Sequence, residues 1–266
     1  MGFSDGRKTS GLYAAEVARS ERITPHMVRV TFTGKDLERL PRRGFDQWFR
    51  LFLPHSGGRT DFAAVPDRLG VASYVKYLTS KSSTRPPFRN YTARELRPET
   101  AELDVDFVVH GDQGIAGPWA QQARSGEQVM LLDQGRGFDP LGDATEFLLV
   151  GDESALPAIA GILRDLPRDT TGLAIIEIPE TADRQILDAP AGFEISWLPR
   201  DHPGNHPGRL AIEAATTYRP TDPGGLQAYL AGEQSLVAQT RRSLVGAGIP
   251  KTRITFTGYW RSGRSS

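Results

Sequence analysis

The residue pattern of this 266-residue chain changes period near position 143, and that change constrains the fold more than any other feature. Before it, short apolar runs at 12–20, 27–33, 48–54, 89–95, 101–109 and 128–134 are separated by Gly, Pro and charged residues. Glu102-Leu103-Asp104-Val105-Asp106-Phe107 alternates polar and apolar residues, the mark of a half-buried strand. Six such strands with one short helix near Trp119 predict a closed antiparallel barrel. After the change, strands at 147–151, 174–178, 193–198, 226–231 and 253–258 alternate with helices at 155–166, 210–217 and 235–246. Pro157 falls in the first turn of the first helix, where a missing N–H costs little. This order predicts a parallel sheet with helices packed on it. The segment 135–143, of Gly, Pro and Asp without periodicity, separates the halves, so the expected domains are a barrel over 1–142 and an α/β domain over 143–266.

Composition excludes several chemistries. There is no cysteine, so disulfides, Fe–S clusters and thiolate zinc sites cannot form. The formal net charge is zero, which leaves no global field to hold nucleic acid or an anionic membrane; a charged ligand must be met by a local cluster. No apolar run is long enough to span a bilayer, and residues 1–10 lack the apolar core of a signal peptide, so the expected location is cytoplasmic. The spacing His202-x3-His206 invites a metal reading, but Pro203-Gly204-Asn205 makes a loop between them and removes helical i, i+4 geometry; no metal ligand set is assigned.

The chemistry is concentrated in Arg89-Asn90-Tyr91-Thr92-Ala93-Arg94 and, about twenty residues on, His110-Gly111-Asp112-Gln113-Gly114-Ile115-Ala116-Gly117-Pro118-Trp119-Ala120. The first is a strand offering a cation, a flat ring and a hydroxyl. The second is a glycine-rich turn opening a short helix, where backbone N–H groups and peptide dipoles favour negative charge. A large anionic aromatic cofactor needs that pairing, and the pattern reads as a flavin site. In a strand Arg89 and Tyr91 share one face and Thr92 takes the other. Asp152, Glu153 and Ser154 follow an apolar strand and precede a helix, the place where α/β domains bind ligands and also where an ordinary helix cap would stand. Glu233 begins another helix after an apolar strand, and an acid at the positive end of a helix dipole needs no further reason.

Arg89-x-Tyr91-Thr92-x-Arg94, Asp106-Phe107-Val108-Val109-His110-Gly111, Gly114-x-Ala116-x-x-Trp119-Ala120, Gly151-Asp152-Glu153-Ser154-Ala155-Leu156-Pro157-Ala158-Ile159, Ala231-Gly232-Glu233 and Gly258-Tyr259-Trp260-Arg261-x-Gly263 together resemble the siderophore-interacting proteins, within the ferredoxin-reductase-like flavoproteins. The resemblance covers nearly the whole chain. It implies a six-stranded flavin-binding barrel followed by a nicotinamide-reductase-like α/β domain. It also implies cytoplasmic, FAD-dependent reduction of a ferric siderophore to release ferrous iron, with NADH, NADPH or a reduced ferredoxin as electron donor.

By the same resemblance Arg89 meets the FAD pyrophosphate, Tyr91 the isoalloxazine or ribityl region, and Thr92 the neighbourhood of N5, making Tyr91 and Thr92 the catalytic candidates. Val109, His110, Gly114, Ala116, Gly117 and Trp119 would hold the cofactor from the first domain, and Asp152, Glu153, Ser154 and Trp260 from the second. Arg50, Arg136 and Arg261 are the substrate-binding candidates, since a ferric siderophore is often an anionic chelate with aromatic rings. Lys76, Lys81 and Lys251 stand in reserve. Gly117 occupies a place where the family usually has Ser, so one side-chain donor to phosphate is missing. The segment 60–87, with Lys76, Lys81 and Arg85, reads as a loop over the ligand with no assigned role. No internal repeat is present, and a monomer is expected. Two other readings are a general NAD(P)H-dependent flavin or ferredoxin-type reductase with another acceptor, and a non-enzymatic siderophore-binding protein.

Overall fold

The computed structural model describes residues 11–55, 59–66, 75, 77, 79, 81–109, 114–201 and 206–263. The chain divides into two compact units. The first comprises residues up to 23, 28–43 and 47–136; the second comprises 24–27, 44–46 and 137 onward.

The first unit is one seven-stranded sheet in the order β4-β3-β7-β1-β2-β6-β5. Its strands are β1 (Leu12–Thr24), β2 (Met27–Thr33), β3 (Trp48–Phe52), β4 (Phe88–Thr92), β5 (Glu95–Arg97), β6 (Glu102–Val108) and β7 (Gln128–Gly135). The pairs β1–β7, β3–β4, β3–β7 and β5–β6 are antiparallel. The edge strands β4 and β5 are joined only by Ala93 and Arg94. Two residues cannot cross an open sheet of seven strands, so the sheet curls until its edges meet.

Six strands were expected, and the seventh arises because the run 89–95 breaks at Ala93-Arg94. The chain there changes partner: Ala93 N–H donates to Gln47 O at 2.8 Å and Arg94 N–H to Asp104 O at 2.9 Å. The barrel interior is apolar, with Val30, Phe32, Leu51, Leu103, Val105, Phe107 and Leu131 fully buried. The helix α1 (Ala116–Gln122) packs at the end of β6.

The second unit is an all-parallel sheet in the order β10-β9-β8-β11-β12. Its strands are β8 (Glu146–Gly151), β9 (Thr171–Ile178), β10 (Gly192–Pro199), β11 (Leu226–Glu233) and β12 (Ile254–Trp260). Helices α2 (Leu156–Asp165), α3 (Arg209–Thr217) and α4 (Gln234–Gly246) follow β8, β10 and β11. Leu156 to Leu163 of α2 are all buried, which explains why that helix reads as apolar on every face. Ala211 and Ala215 of α3 and Leu236, Val237 and Leu244 of α4 share one core with Leu148, Val150 and Leu230 of the sheet. Strand order reverses between β8 and β11, and a crevice forms at the carboxyl ends of strands at such a point. Among the described residues no helix is long and apolar enough to cross a membrane.

Candidate functional site

On β4, Arg89 pairs with Leu51 and Tyr91 with Phe49 of β3. Tyr91 lies against Phe107, ring centroids 4.3 Å apart at 42°, and Phe107 meets Trp119 at 5.7 Å. Burial pushes the Tyr91 phenol above its ordinary range, with Arg89 only partly opposing. At neutral pH Tyr91 is therefore an uncharged flat face. Thr92 is buried, opposite Trp48.

Arg89 lines a pocket of about 450 Å³ with Ile115, the residue after Gly114. Its Nη1 also donates to Phe88 O at 2.8 Å. Gly114 has φ 81°, and a Cβ there would meet no atom within 4 Å. Among the described residues nothing crowds that position, and the backbone there holds a conformation that favours glycine. His55 and Arg85 line the same pocket, and none of its described lining residues is a carboxylate. A pocket whose described lining offers cations and no acid, beside a glycine turn, fits the diphosphate of an FAD. Arg89 and the Gly114 turn would hold that group, and Tyr91 would offer its face to the ring system.

The other barrel candidates serve packing as well. A Cβ on Gly117 would stand 3.1 Å from Val108 O and 3.7 Å from Val109 Cα, so the bare glycine lets α1 lie against the end of β6. Ala116 and Val109 are buried at that contact. Trp119 stacks on Phe32 at 6.3 Å and 7°, and its Nε1 donates to Glu127 at 3.0 Å. Arg50 sits opposite Asn90 with its guanidinium 5.4 Å from the centre of the Phe88 ring. Arg136 follows β7 and donates to Arg43 O at 3.1 Å. His110, His202 and Lys76 lie outside the described residues.

In the second unit, Asp152, Glu153 and Ser154 follow β8 and Glu233 closes β11, at the reversal of strand order. The Asp152 carboxylate is fully buried and filled by the chain itself. Its Oδ1 accepts from Ser154 N at 2.9 Å and Ser154 Oγ at 2.5 Å; its Oδ2 accepts from Glu233 N at 2.6 Å and Trp260 Nε1 at 3.0 Å. Burial, with Glu153 as a neighbouring charge, pushes its pKa up to about 6 against the pull of those bonds.

Glu153 receives both terminal nitrogens of Arg200, at 2.9 and 2.7 Å, and Arg200 also reaches Glu177 at 3.0 Å. Glu177 in turn accepts from Gly208 N at 2.7 Å and Ala211 N at 3.0 Å, tying the start of α3 to β9. Burial of Arg200 disfavours its charge, but the two glutamates outweigh that and hold it protonated. Glu233 caps α4 by accepting from Ser235 N at 2.5 Å and Leu236 N at 3.2 Å, and it also accepts from Ser262 N at 3.3 Å. Burial opposes its charge, yet its hydrogen bonds, led by the one the Ser235 hydroxyl donates, hold its pKa low. The acidic side chains of this motif are therefore engaged within the unit, and what they leave for a ligand is loop backbone. Arg261 is exposed beside Trp260 along a groove of about 780 Å³.

Sequence reasoning did not single out Arg200 or Glu177. The cue for Glu177 was available: it is the one acid within the apolar run of β9. Nor did it find His26, Glu180 and Asp183, whose ligand atoms lie within 4.8 Å of one another. Asp183 there accepts from Thr24 Oγ1 at 2.7 Å, His26 N at 2.9 Å, His26 Nδ1 at 2.8 Å and Glu180 N at 3.2 Å. That carboxylate is saturated, and the trio is a structural clasp.

Comparison with known proteins follows the same division. Residues 16–137 match the profile of the siderophore-interacting FAD-binding domain, and residues 144–263 match that of the siderophore-interacting protein. The chain is 31% identical to the ferric vibriobactin reductase ViuB of Vibrio cholerae, over 94% of this chain and 89% of that protein. It is 28% identical to the NADPH-dependent ferric-chelate reductase of Escherichia coli, over 92% and 91%. A siderophore utilization protein from T. fusca superposes with a TM-score of 0.80 at 31% identity, over 97% of this chain and 96% of the other. Two consecutive profile matches over both units, with relatives aligned along nearly their full length, place the chain in the siderophore-interacting protein family of flavin-dependent oxidoreductases.

Proposed function

We propose that this protein reduces a ferric siderophore with electrons passed through bound FAD, releasing ferrous iron in the cytoplasm, with NADPH or NADH as the source and a reduced ferredoxin as the other donor class. The observation that carries the reading is the pocket holding Arg89 beside the Gly114 turn, within a domain that matches the siderophore-interacting FAD-binding profile. The activities named for the relatives from V. cholerae and E. coli, ferric vibriobactin and ferric-chelate reduction, support the substrate class, and the second supports NADPH.

FAD, when bound, converts a two-electron donor into single-electron steps. The rest is the protein's part. Arg89 neutralises phosphate charge, and the Gly114 turn lets backbone approach it. Tyr91, uncharged and packed on Phe107, presents a fixed aromatic face. Thr92, buried on the opposite face of β4, holds its hydroxyl where the strand places it. Ferric iron is held tightly by hard oxygen ligands and ferrous iron far less so, which makes a one-electron reduction sufficient for release. No general acid or base has to drive that step. Arg50, Arg136 and Arg261 are the cations assigned to the anionic chelate.

The test is anaerobic stopped-flow spectroscopy on the purified protein. Its flavin should bleach with NADPH or NADH, or with reduced ferredoxin, and reoxidise fastest with ferric siderophores among a panel of acceptors. The double variant Arg89→Ala with Tyr91→Ala should be isolated colourless. A fully yellow double variant removes the assigned site, and reoxidation that is equally fast with unrelated acceptors favours a general reductase.

A further inference from the structure

The pocket beside Arg89 contains a second arginine that belongs to no recognised motif. It is lined in part by His55, Tyr77, Ser82, Arg85, Arg89 and Ile115. Tyr77, Ser82 and Arg85 come from the excursion 60–87, inserted between β3 and β4. The described residues of this segment that line the pocket are anchored. The Tyr77 ring is buried edge-on to Phe52 at 5.8 Å and 5.9 Å from Phe88, and its hydroxyl donates to Pro86 O. Leu53 N donates to Pro87 O at 2.8 Å and Asp61 N to Thr84 O at 2.8 Å. A turn over residues 81–85 is closed by Thr84 N and Arg85 N, both donating to Lys81 O at 3.1 and 3.0 Å. Arg85 then extends over Tyr77, its guanidinium carbon 5.5 Å from the ring centre.

Direction along β4 assigns the ligand half. Tyr91 stands toward one end of the strand, Arg89 two residues back, and Pro87 and Arg85 beyond it. With the ring system at Tyr91 and the diphosphate at Arg89, the part that continues past Arg89 is the adenylate. We propose that Arg85, steadied by Tyr77, is a second phosphate-binding cation, and that Tyr77, Ser82 and Arg85 form a subsite for the AMP half of FAD. The inference rests on the flavin reading above. It gives these residues a role as a selector of the dinucleotide over the mononucleotide: a ligand that stops at one phosphate meets Arg89 but has nothing to reach them.

The experiment compares FAD and FMN on wild type, Arg85→Ala, Arg85→Lys and Arg89→Ala, reading the rise of free-flavin fluorescence as each loaded protein is diluted. Arg85→Ala should release FAD at least about tenfold faster, the scale of one charge-assisted hydrogen bond, while FMN release stays within about twofold. Arg85→Lys should recover part of the loss, and Arg89→Ala should weaken both flavins. On wild type alone, excess AMP should compete with FAD uptake and leave FMN uptake unchanged, a readout that does not depend on any variant folding. Wild-type FAD release from Arg85→Ala, or indifference to AMP, overturns this inference alone. A wild-type protein that takes up no flavin overturns the parent reading with it.

Discussion

In the barrel the buried carboxylates Asp104 and Asp106 stand mid-strand on β6 and pair across the wall, Asp104 with Arg97 at 2.8 and 3.0 Å and Asp106 with Arg29 at 2.7 and 2.9 Å. In the α/β unit Asp152, Glu153 and Glu233 gather at the carboxyl ends of β8 and β11, where their partners are loop N–H groups, an indole and one buried arginine. Glu177 joins them from β9 through Arg200. The barrel's arginines keep about a quarter of their side chains in water, 23% for Arg97 and 27% for Arg29, whereas Arg200 keeps 9%. A barrel wall can pair its charges beside solvent. A parallel sheet has no wet face, so its charges collect where strands end and helices begin. The consequence for function is that a motif of similar apparent strength means different things in the two units. Arg89 lines an open pocket, while the acids of Asp152-Glu153 hold their own loop in place.

The largest test of that contrast is the removal of one arginine from each unit. Arg200→Met leaves Glu153 and Glu177 buried without their counter-charge and should cost about 3–5 kcal/mol. Arg97→Met leaves Asp104 with Thr31 Oγ1 at 2.6 Å and nearby water, and should cost about 1–2 kcal/mol. Urea denaturation gives the totals, and hydrogen exchange assigns each loss to its unit. Equal costs would break the comparison.

The second test is pH. Asp152 has its pKa raised to about 6, so between that value and its unfolded value near 3.8 the folded protein binds the proton more tightly than the unfolded chain. Stability of the α/β unit should therefore rise as pH falls through this window, by about 3 kcal/mol, and be lost again as pH rises through 6. Asp104 runs the other way. Burial opposes its charge, but Arg97 and Thr31 outweigh that and lower its pKa, so its contribution is present above about 3.8 and is lost only in stronger acid. Comparing urea midpoints at pH 5 and pH 7 checks the first sign. The wild-type midpoint should exceed that of Asp152→Asn by less at pH 7 than at pH 5 once bonding losses common to both are subtracted. A difference that does not change with pH would show that Asp152 is already ionised at no cost.

Much of this was legible in the chain. The change of period located both architectures, and the three α/β helices fall within a residue of where Pro157, Leu210 and Ser235 indicated their starts. The seventh strand was not legible, because Ala93-Arg94 switches from a β3 partner to a β6 partner and nothing in those residues records a change of neighbour. The strand placement of Arg89 and Tyr91 and the glycine conformation at Gly114 could be read because strand alternation and a glycine turn are local signals. Arg200 could not, since a lone arginine after a strand looks solvated until Glu153 and Glu177 are seen to converge on it. Arg85 was hidden for the same reason: its neighbour Tyr77 is near only through the packing of Phe52 and Phe88.

Gly117 gives the smallest expected effect and decides whether the barrel site is limited by chemistry or by packing. The missing serine there removes a donor, but the geometry supplies a reason for the glycine: a Cβ would press Val108 O at 3.1 Å. Relief needs a shift of a few tenths of an ångström, and serine regains part of glycine's helical penalty, so Gly117→Ser should change stability by less than about 1 kcal/mol. If α1 moves that little, the new hydroxyl joins the turn at Gly114 and should slow FAD release by about threefold, the worth of one modest hydrogen bond. The same variant should leave the urea midpoint of the α/β unit unchanged. Unaltered FAD release with an intact barrel would mean that Val108 turns the hydroxyl aside, and that close helix–strand contact, with no phosphate donor lost, explains the glycine.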